Sequence, residues 1–254
     1  SAHVVEAMNS LELLVVQEIF MSETAKLATV VLPGTTFLEK DGTFTNTERR
    51  IQRVNRAVPP LPGTKPDGVI VTDMMQKLGF NQPTYDADQM LQEIADVVPF
   101  FKGVTRERLG KLGLQWPVNE DGTDTQILHT DTFKLGKGRL KNFDWKESSE
   151  IEANQKDYPL ILTTSRVLQH YNAATMTRRT KNINIVDEDV LLIHPKDAAN
   201  RDLNTGDIGR LYSGRGEVAL KVEVTDKVKE GIVFTTFHFP EHMVNMVTGH
   251  GKDE

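Results

Sequence analysis

The sequence predicts an α/β domain, part of a doubly wound, Rossmann-like sheet, followed by a mainly-β domain. The first prediction rests on an apolar strand, a short helix and a second apolar strand within the first 32 residues: LELLVVQ, SETAKLA and TVVL. Such nearly continuous apolar strands are typical of a parallel sheet, so we expect them to be buried on both faces. The second rests on short β-prone segments after residue 187 with turn signals at intervals of about eight to twelve residues, typical of a small barrel. Among them, residues 208–212, a turn at residues 213–216 and residues 217–224 predict a β-hairpin. We expect domains at residues 1–99 and 151–254, joined by a crossover at residues 100–150.

Composition excludes several classes of function. The 254 residues are 38% hydrophobic and 26% charged, as in ordinary globular proteins, and the net charge of −6 argues against a nucleic-acid partner. No apolar run approaches the roughly 20 residues of a membrane span, and no signal peptide is recognisable, so we expect a cytoplasmic location. The absence of cysteine excludes disulfides and cysteine-ligated clusters in this chain, and the seven histidines lack metal-ligand spacing.

The two predicted parallel strands end in residues that suit a ligand. Ser22 is a helix N-cap between the strands, and Gln17, Glu18 and Gly34 stand at the strands' carboxyl ends. Ligands of doubly wound sheets bind at those ends. The alternative is that Gln17 and Glu18 only cap the following helix.

Residues 39–56, EKDGTFTNTERRIQRVNR, form a mixed-charge cluster. Its arginines suit phosphate, although ion pairs to a neighbouring domain are the favoured interpretation. A proline-rich segment then leads to Asp67 and an amphipathic helix at residues 68–78, closed by Gly79. In isolation, Asp67 reads as a cap of that helix.

Residues 81–99 predict a polar turn and another helix. The crossover at residues 100–150 is irregular, with Trp116 and Trp145 as expected anchors. Residues 158–180, YPLILTTSRVLQHYNAATMTRRT, open as a strand and become a row of hydrogen-bonding side chains. Such a row suits a polar, phosphate-bearing ligand, and a threonine-rich surface loop is the alternative.

Three segments resemble the molybdopterin oxidoreductases. The segments LLVVQEIFMSETAKLATVVLP and EKDGTFTNTERRIQRV resemble the family's third domain, with the catalytic subunit of formate dehydrogenases as the best match. The segment VLLIHPKDAANRDLNTGDIGRLYSGRGEVALKVEVTDKVKEGIVFTTFHF is similar to the family's dinucleotide-binding domain, a double-psi β-barrel, and LTTSRVLQHYNAATMTRRT is similar to its pterin-contacting segment. The resemblance covers nearly the whole chain in family order.

The resemblance implies cofactor contacts position by position. Gln17, Glu18 and Gly34 match contacts to one guanine dinucleotide, and Asp67 matches an acid that accepts the guanine N1–H and amino group. The implied contacts in the second domain are Arg166, Gln169, His170, Asn172, Thr175, Phe237, His238 and Asn245. For His170, a donor that tunes the pterin and a histidine satisfied by a backbone carbonyl remain open alternatives. No catalytic or metal-ligating residue is expected in this chain.

The sequence also departs from the family. Gly68 stands where the family usually has Trp, and Gln169 where small or aromatic residues are common. The family's N-terminal half, with its iron–sulfur motif and metal-ligating Cys or selenocysteine, has no counterpart here, and the chain stops before the family's last strand. The expectation is a C-terminal fragment, inactive alone.

The resemblance thereby implies a larger enzyme. Its cofactor would be bis-molybdopterin guanine dinucleotide with Mo or W, an iron–sulfur cluster would lie in the missing half, and the enzyme would serve anaerobic respiration. The expected partners are the rest of the catalytic subunit and electron-transfer subunits. A nitrate reductase or formylmethanofuran dehydrogenase, and a non-catalytic double-psi-barrel binding module, remain the alternatives.

Overall fold

The computed structural model describes residues 2–145 and 154–248, and the chain divides into two compact units. One unit is Leu13–Asn142, and the other comprises Ser1–Glu12 with Phe143–Glu254. The α-helices are α1 (Ala2–Asn9), α2 (Glu23–Lys26), α3 (Asp67–Lys77), α4 (Ala87–Val97), α5 (Arg106–Leu109) and α6 (Pro195–Ala199). The strands are β1 (Val15–Glu18), β2 (Val30–Pro33), β3 (Gly42–Thr45), β4 (Arg50–Val54), β5 (Leu114–Gln115), β6 (Ile161–Ser165), β7 (Val190–Ile193), β8 (Ile208–Ser213), β9 (Gly216–Val224) and β10 (Ile232–Thr236). Part of the predicted crossover, residues 146–150, the start of the predicted second domain, residues 151–153, and the predicted truncated end, residues 249–254, lie outside the described residues.

The strand–helix–strand prediction for the first unit is confirmed. Strands β1 and β2 pair in parallel, with Gln17 opposite Leu32. Helix α2 connects them, and the Ser22 hydroxyl accepts the Ala25 N–H at 3.3 Å as its N-cap. The carboxyl ends of both strands therefore lie at one edge of the sheet.

The expected burial of these strands on both faces is wrong for the described part of the chain. Leu13 is 62% exposed and Val30 is 42% exposed. A two-stranded sheet has little surface of its own with which to cover two apolar faces, and parallel sheets are normally covered on both. These side chains therefore stay in contact with solvent here.

The first unit extends beyond the predicted boundary at residue 99. Its core combines Ile51 of β4 and Leu91 of α4 with Val104, Leu109 and Val118. The last three residues fall in the segment predicted to be a crossover. Apolar burial therefore joins this segment to the first unit, because its side chains fill the space between β4 and α4.

Residues 39–56 form a β-hairpin that the sequence analysis did not predict. Strand β3 pairs antiparallel with β4, and β5 joins at the other edge of β4. Arg49, from the predicted mixed-charge cluster, donates to the carbonyls of Trp116, Thr125 and Gln126. The guanidinium of Arg49 thus holds the following loop by backbone oxygens.

The two tryptophans differ. Trp116 packs against the core of the first unit and stacks against Phe100 with ring centroids 5.6 Å apart, as expected of an anchor. Trp145 is 85% exposed, so the prediction that it anchors the chain is wrong. Both residues are large and apolar, so only their tertiary contacts show which of them is an anchor.

The second unit is built on a mixed five-stranded sheet in the order β6-β10-β7-β9-β8. Strands β6 and β10 pair in parallel, as do β7 and β9, and the remaining pairs are antiparallel. The predicted hairpin is confirmed, with Ser213 opposite Gly216 at the turn between β8 and β9. A β-rich second domain is therefore correct, and the double-psi barrel stays a prediction.

Candidate functional site

The predicted nucleotide contacts of the first unit meet at the strand ends. Gln17 Nε2 donates to Asp67 Oδ1 at 2.5 Å. A Cβ added to Gly34 would lie 3.2 Å from Asp67 Oδ1 and 3.8 Å from the carbonyl oxygen of Glu18. The Glu18 carboxylate accepts its neighbour's N–H, that of Ile19, at 2.9 Å. The structure therefore brings all four predicted positions together, with the backbone of Glu18 rather than its side chain facing the group.

Asp67 does not cap helix α3 but stands in its first turn, with Pro66 as the N-cap residue. Its carboxylate accepts hydrogen bonds from Gln17 and from Lys40. Burial raises the pKa of Asp67, but the hydrogen bonds from Lys40 and Gln17 and the charge of Lys40 outweigh it, so that the pKa lies below its ordinary value. The group is thus built around an ionised carboxylate.

Three residues of this region were not predicted. Lys40 pairs with Asp67. Thr35, directly after Gly34, is buried, and within the described ranges its hydroxyl has no hydrogen-bond partner. The ring of Tyr85 covers Gly68, where an added Cβ would lie only 2.1 Å from Tyr85 Cε2. Position in the mixed-charge cluster was a signal for Lys40, whereas nothing in the sequence links Tyr85 to Gly68.

The orphaned hydroxyl of Thr35 and the neighbouring Gly34 fit a bound group. Buried polar atoms normally have partners, so the Thr35 hydroxyl is an open donor and acceptor beside Gly34. The absence of a side chain at Gly34 lets another molecule approach Asp67 closely. Burial, together with the charges of Asp67 and Asp86, raises the pKa of Tyr85, so its hydroxyl keeps its proton and can donate.

The predicted contacts of the second unit begin at the carboxyl ends of two neighbouring parallel strands. Ser165 of β6 is opposite Thr236 of β10, so the segments that follow leave the sheet at one edge. The Arg166 guanidinium lies 5.1 Å from the ring centroid of Phe237, a cation–π distance. Register alone therefore brings the predicted segments together.

His238 is completely buried and ties the two segments to each other. Its Nε2 accepts the Val167 N–H at 3.0 Å, and its Nδ1 contacts the carbonyl of Asn172. Because a backbone N–H can only donate, the hydrogen of this ring is on Nδ1. Both ring nitrogens are thus engaged within the unit, and the predicted contact of His238 with a cofactor stays a prediction.

His170 is engaged in a similar way. Its Nε2 lies 2.7 Å from the Val186 carbonyl oxygen, and its Nδ1 lies 3.0 Å from the Thr177 hydroxyl. The structure thus shows the second of the two alternatives, a histidine satisfied by a backbone carbonyl. Its role is to hold the loop that carries the other predicted contacts.

That loop is fixed by its carbonyl groups and presents its side chains. The carbonyl of Gln169 accepts from Asn182 Nδ2 at 2.7 Å, that of Asn172 from His238, and that of Thr175 from Arg179. Across residues 154–248, by contrast, no hydrogen bond engages the side chains of Gln169, Asn172 and Thr175. These side chains remain available to a ligand.

The same loop holds two residues in the left-handed region. Asn172 has φ of 48°, and the buried Ala174 has φ of 53°. Asparagine tolerates this conformation, but for alanine it costs about 1–2 kcal/mol. Strained backbone of this kind is concentrated at binding sites.

Asn245 is the one predicted residue that stands apart. It lies in the 3-10 helix Val244–Met246, between the core residues Val244 and Val247. No hydrogen bond or ring contact of the described chain joins it to the loop of residues 166–175. The structure thus leaves its predicted role without a supporting contact.

Asp189 is a buried residue that the sequence analysis did not identify. Its carboxylate accepts the Thr236 hydroxyl, the His238 N–H at 3.1 Å and the Phe239 N–H at 3.0 Å. Thr236 ends β10, and the other two donors lie in the segment that follows it. Asp189 therefore sets the path of the chain that carries Phe237 and His238.

Two further features are absent from residues 2–145 and 154–248. No group of three or more His, Asp or Glu side chains is placed to hold a metal ion. None of the helices is both long and apolar enough to cross a membrane.

Comparison with known families identifies both parts of the chain. Residues 1–77 match the family described as molybdopterin oxidoreductase, and residues 160–254 match the molybdopterin dinucleotide binding domain. The chain belongs to the molybdopterin oxidoreductases. The predicted resemblance is confirmed, and so is the cofactor class, a molybdopterin dinucleotide, for which residues 160–254 form the binding domain.

The relatives include proteins named as formate dehydrogenase alpha subunits. The F420-dependent formate dehydrogenase subunit alpha of Methanocaldococcus jannaschii is 43% identical over 256 residues, covering 99% of this chain and 38% of the relative. An F420-dependent formate dehydrogenase 1 subunit alpha of Methanococcus maripaludis is 41% identical over 259 residues, with the same coverage of 99% and 38%. The chain thus spans 38% of the length of these relatives.

A solved structure shows the same fold. Acetylene hydratase from Pelobacter acetylenicus superimposes with a TM-score of 0.68 at 20% identity, covering 95% of this chain and 35% of that chain. At this identity the likeness concerns the fold alone.

Proposed function

We propose that this chain is the cofactor-holding portion of a formate dehydrogenase alpha subunit. In the parent reaction, formate loses two electrons and one proton to give carbon dioxide, or carbon dioxide gains them in the reverse direction. The observation that carries the proposal is the convergence of Gln17, Gly34 and Asp67 at the strand ends. The names of relatives that match 99% of this chain support the choice of substrate.

The proposed cofactor is bis-molybdopterin guanine dinucleotide with molybdenum or tungsten. When bound, the metal and its two pterin dithiolenes supply the redox chemistry, whereas the protein contributes binding and orientation. The iron–sulfur cluster and the metal-ligating residue belong to the part of the subunit that this chain lacks. Every role proposed for the present residues is therefore one of binding.

Asp67 is the proposed guanine acceptor. A carboxylate has about four lone-pair positions, and Gln17 and Lys40 use one on each oxygen. One position on each oxygen is left, and this pair matches the parallel N1–H and amino donors of guanine. Gly34 and the unpartnered Thr35 hydroxyl adjoin this carboxylate and suit the approach of the nucleotide.

The loop after β6 is the proposed pterin-binding segment. The side chains of Gln169, Asn172 and Thr175 supply neutral donors and acceptors that suit a fused pterin ring. Arg166, placed on the Phe237 ring, supplies a positive charge for the anionic parts of the cofactor. In this proposal His170 and His238 fix the loop and do not touch the cofactor with their ring nitrogens.

The proposed partners are the rest of the catalytic subunit and electron-transfer subunits, and the names of relatives suggest F420 as the electron acceptor. The isolated chain should not oxidise formate, because the metal-ligating residue is not part of it. Formate-dependent reduction of a dye by the purified chain would contradict this. The cytoplasmic location stays a prediction.

The experiment that tests the guanine site is a calorimetric titration of GDP into the chain and into Asp67→Ala. Loss of the bidentate acceptor should weaken GDP binding about 10–100-fold, because such a pair is worth about 1–3 kcal/mol. Asp73→Ala is the matched control, since Asp73 lies on the same helix and pairs with Lys65. Equal affinity of the Asp67 variant and the parent chain would remove Asp67 from the site.

A further inference from the structure

Lys40 reaches Asp67 from a sheltered position. The Lys40 side chain is 25% exposed, against 50% for Asp67. Its backbone follows the 3-10 helix Phe37–Glu39, where the Glu39 carboxylate accepts the N–H groups of Thr36 and Leu61, both near 2.9 Å. The two hydrogen bonds of Glu39 therefore fix the backbone next to Lys40.

A second lysine–aspartate pair in the same unit shows the difference. Lys65 contacts Asp73 at 2.6 Å, but its side chain is 59% exposed. An exposed pair of this kind is screened by water and contributes little. The Lys40 side chain, by contrast, is less than half as exposed, and it lines a cavity of about 320 Å³ together with Pro66 and Tyr85.

The hydrogen bonds of Lys40 and Gln17 orient the carboxylate as well as charging it. Gln17 holds Oδ1 and Lys40 holds Oδ2, which fixes the plane of the group from two sides. In that orientation, one acceptor position on each oxygen points away from the two protein donors. A ligand with two parallel donors is then favoured over one that presents an acceptor.

We propose that Lys40 is a positioning residue that holds Asp67 as an oriented, ionised acceptor and so makes the unit select guanine over adenine and hypoxanthine. Guanine offers N1–H and the 2-amino group. Hypoxanthine lacks the amino group, and adenine presents an acceptor at N1. This inference rests on the proposed function, because it assigns base selection to the same site.

Within residues 2–145, three side chains interact with the Asp67 carboxylate. They are Gln17 from β1, Lys40 from the segment before β3, and Tyr85 from the segment before α4. Burial raises the pKa of Asp67, and the contribution of Lys40 opposes that rise. Removing Lys40 should therefore shift the acid limb of guanine binding to higher pH, because the carboxylate must be ionised to accept two hydrogen bonds.

The experiment compares GDP, IDP and ADP, which share ribose and phosphates, as ligands of the 254-residue chain, Lys40→Met, Lys40→Arg and Lys65→Met. Affinities are measured calorimetrically at several pH values from about 4.5 to about 8. This interval begins just above the pKa of an ordinary carboxyl group, so a raised pKa of Asp67 would weaken binding within it. Lys40→Met should lose about 10-fold in GDP affinity and little in ADP affinity, so that the GDP-to-ADP ratio falls about 10-fold. Lys40→Arg should restore most of the ratio, and Lys65→Met should match the parent chain.

Carboxyl ¹³C titration of Asp67 without nucleotide separates this inference from the proposed function. A pKa that rises in Lys40→Met, together with the lower GDP-to-ADP ratio, supports the role of Lys40. An unchanged pKa of Asp67 or an unchanged ratio overturns it. Binding of none of the three nucleotides by the parent chain overturns the proposed guanine site instead, and base selection with it, even if the pKa of Asp67 responds to Lys40.

Discussion

The two groups of candidate contacts are held in place by different physical means. In the first unit, an ionised carboxylate, Asp67, is oriented by the charge and hydrogen bond of Lys40 and by Gln17. In the second unit, the buried side chains of His170 and His238 hydrogen-bond to backbone groups and so fix the loop after β6, whose polar side chains stay uncommitted. The first group is thus held by an ion pair, and the second by hydrogen bonds between buried side chains and the backbone.

This difference suits the two parts of a dinucleotide cofactor. A guanine edge has two donors at fixed spacing, and a single oriented carboxylate recognises it. A pterin offers donors and acceptors around a large ring system, so a loop of fixed path with several neutral side chains suits it better. Charge changes should therefore act mainly on affinity in the first unit, whereas polar changes in the second should act on stability.

The largest effect is expected for Asp189→Ala. Loss of this buried carboxylate leaves the Thr236 hydroxyl and the N–H groups of His238 and Phe239 without an acceptor. We expect a loss of about 3–5 kcal/mol in the free energy of unfolding, because each unsatisfied buried donor costs about 1–3 kcal/mol. Denaturant unfolding measures it, with the exposed Asp187→Ala as control. Similar losses in both variants would show that Asp189 is not needed to hold the segment after β10 in place.

A smaller effect is expected for His238→Phe. A ring of similar size keeps the packing but leaves the Val167 N–H and the Asn172 carbonyl unpaired. We expect a loss of about 2–3 kcal/mol. Hydrogen exchange should become faster at residues 166–172, while GDP affinity stays unchanged. An altered GDP affinity with unchanged hydrogen exchange would contradict the assignment of His238 to the structure of the second unit.

Much of the fold was readable from the sequence because the signals are local. The Ser22 cap, the strand–helix–strand unit of β1, α2 and β2, and the turn at Ser213–Gly216 each depend on neighbouring residues. All three are confirmed. The extent of the first unit was not readable, because burial of Val104 and Val118 depends on residues distant in sequence. Apolar character alone does not tell a core residue from an exposed one.

The candidate site divides in the same way. Gln17 and Gly34 were predicted and meet in space, since strand ends of a parallel sheet share an edge. Asp67 was also predicted, and it reaches them from the first turn of α3. The histidines were predicted as contacts, but side-chain type does not reveal whether the ring faces a ligand or a backbone carbonyl. Lys40 was missed as a partner of Asp67 because the two are 27 residues apart and no periodicity connects them.

The smallest effect is expected for Gly68→Ala, which tests the steric contact between Gly68 and Tyr85 in the first unit. The new Cβ would lie 2.1 Å from Tyr85 Cε2, so the ring must move. We expect a loss of about 1–2 kcal/mol in stability, as for overpacking at one contact. Gly42→Ala is the control, because nothing lies within 4 Å of a Cβ added there.

A double-mutant cycle decides whether the Gly68 effect passes through Tyr85. In the Tyr85→Ala background the clash is gone, so Gly68→Ala should cost close to nothing. The same displacement of the ring should lower GDP affinity only if Tyr85 borders the bound base, whereas Lys40 and Asp67 keep their contact in either case. Equal costs of Gly68→Ala in both backgrounds would show that the loss of stability does not come from the contact with Tyr85.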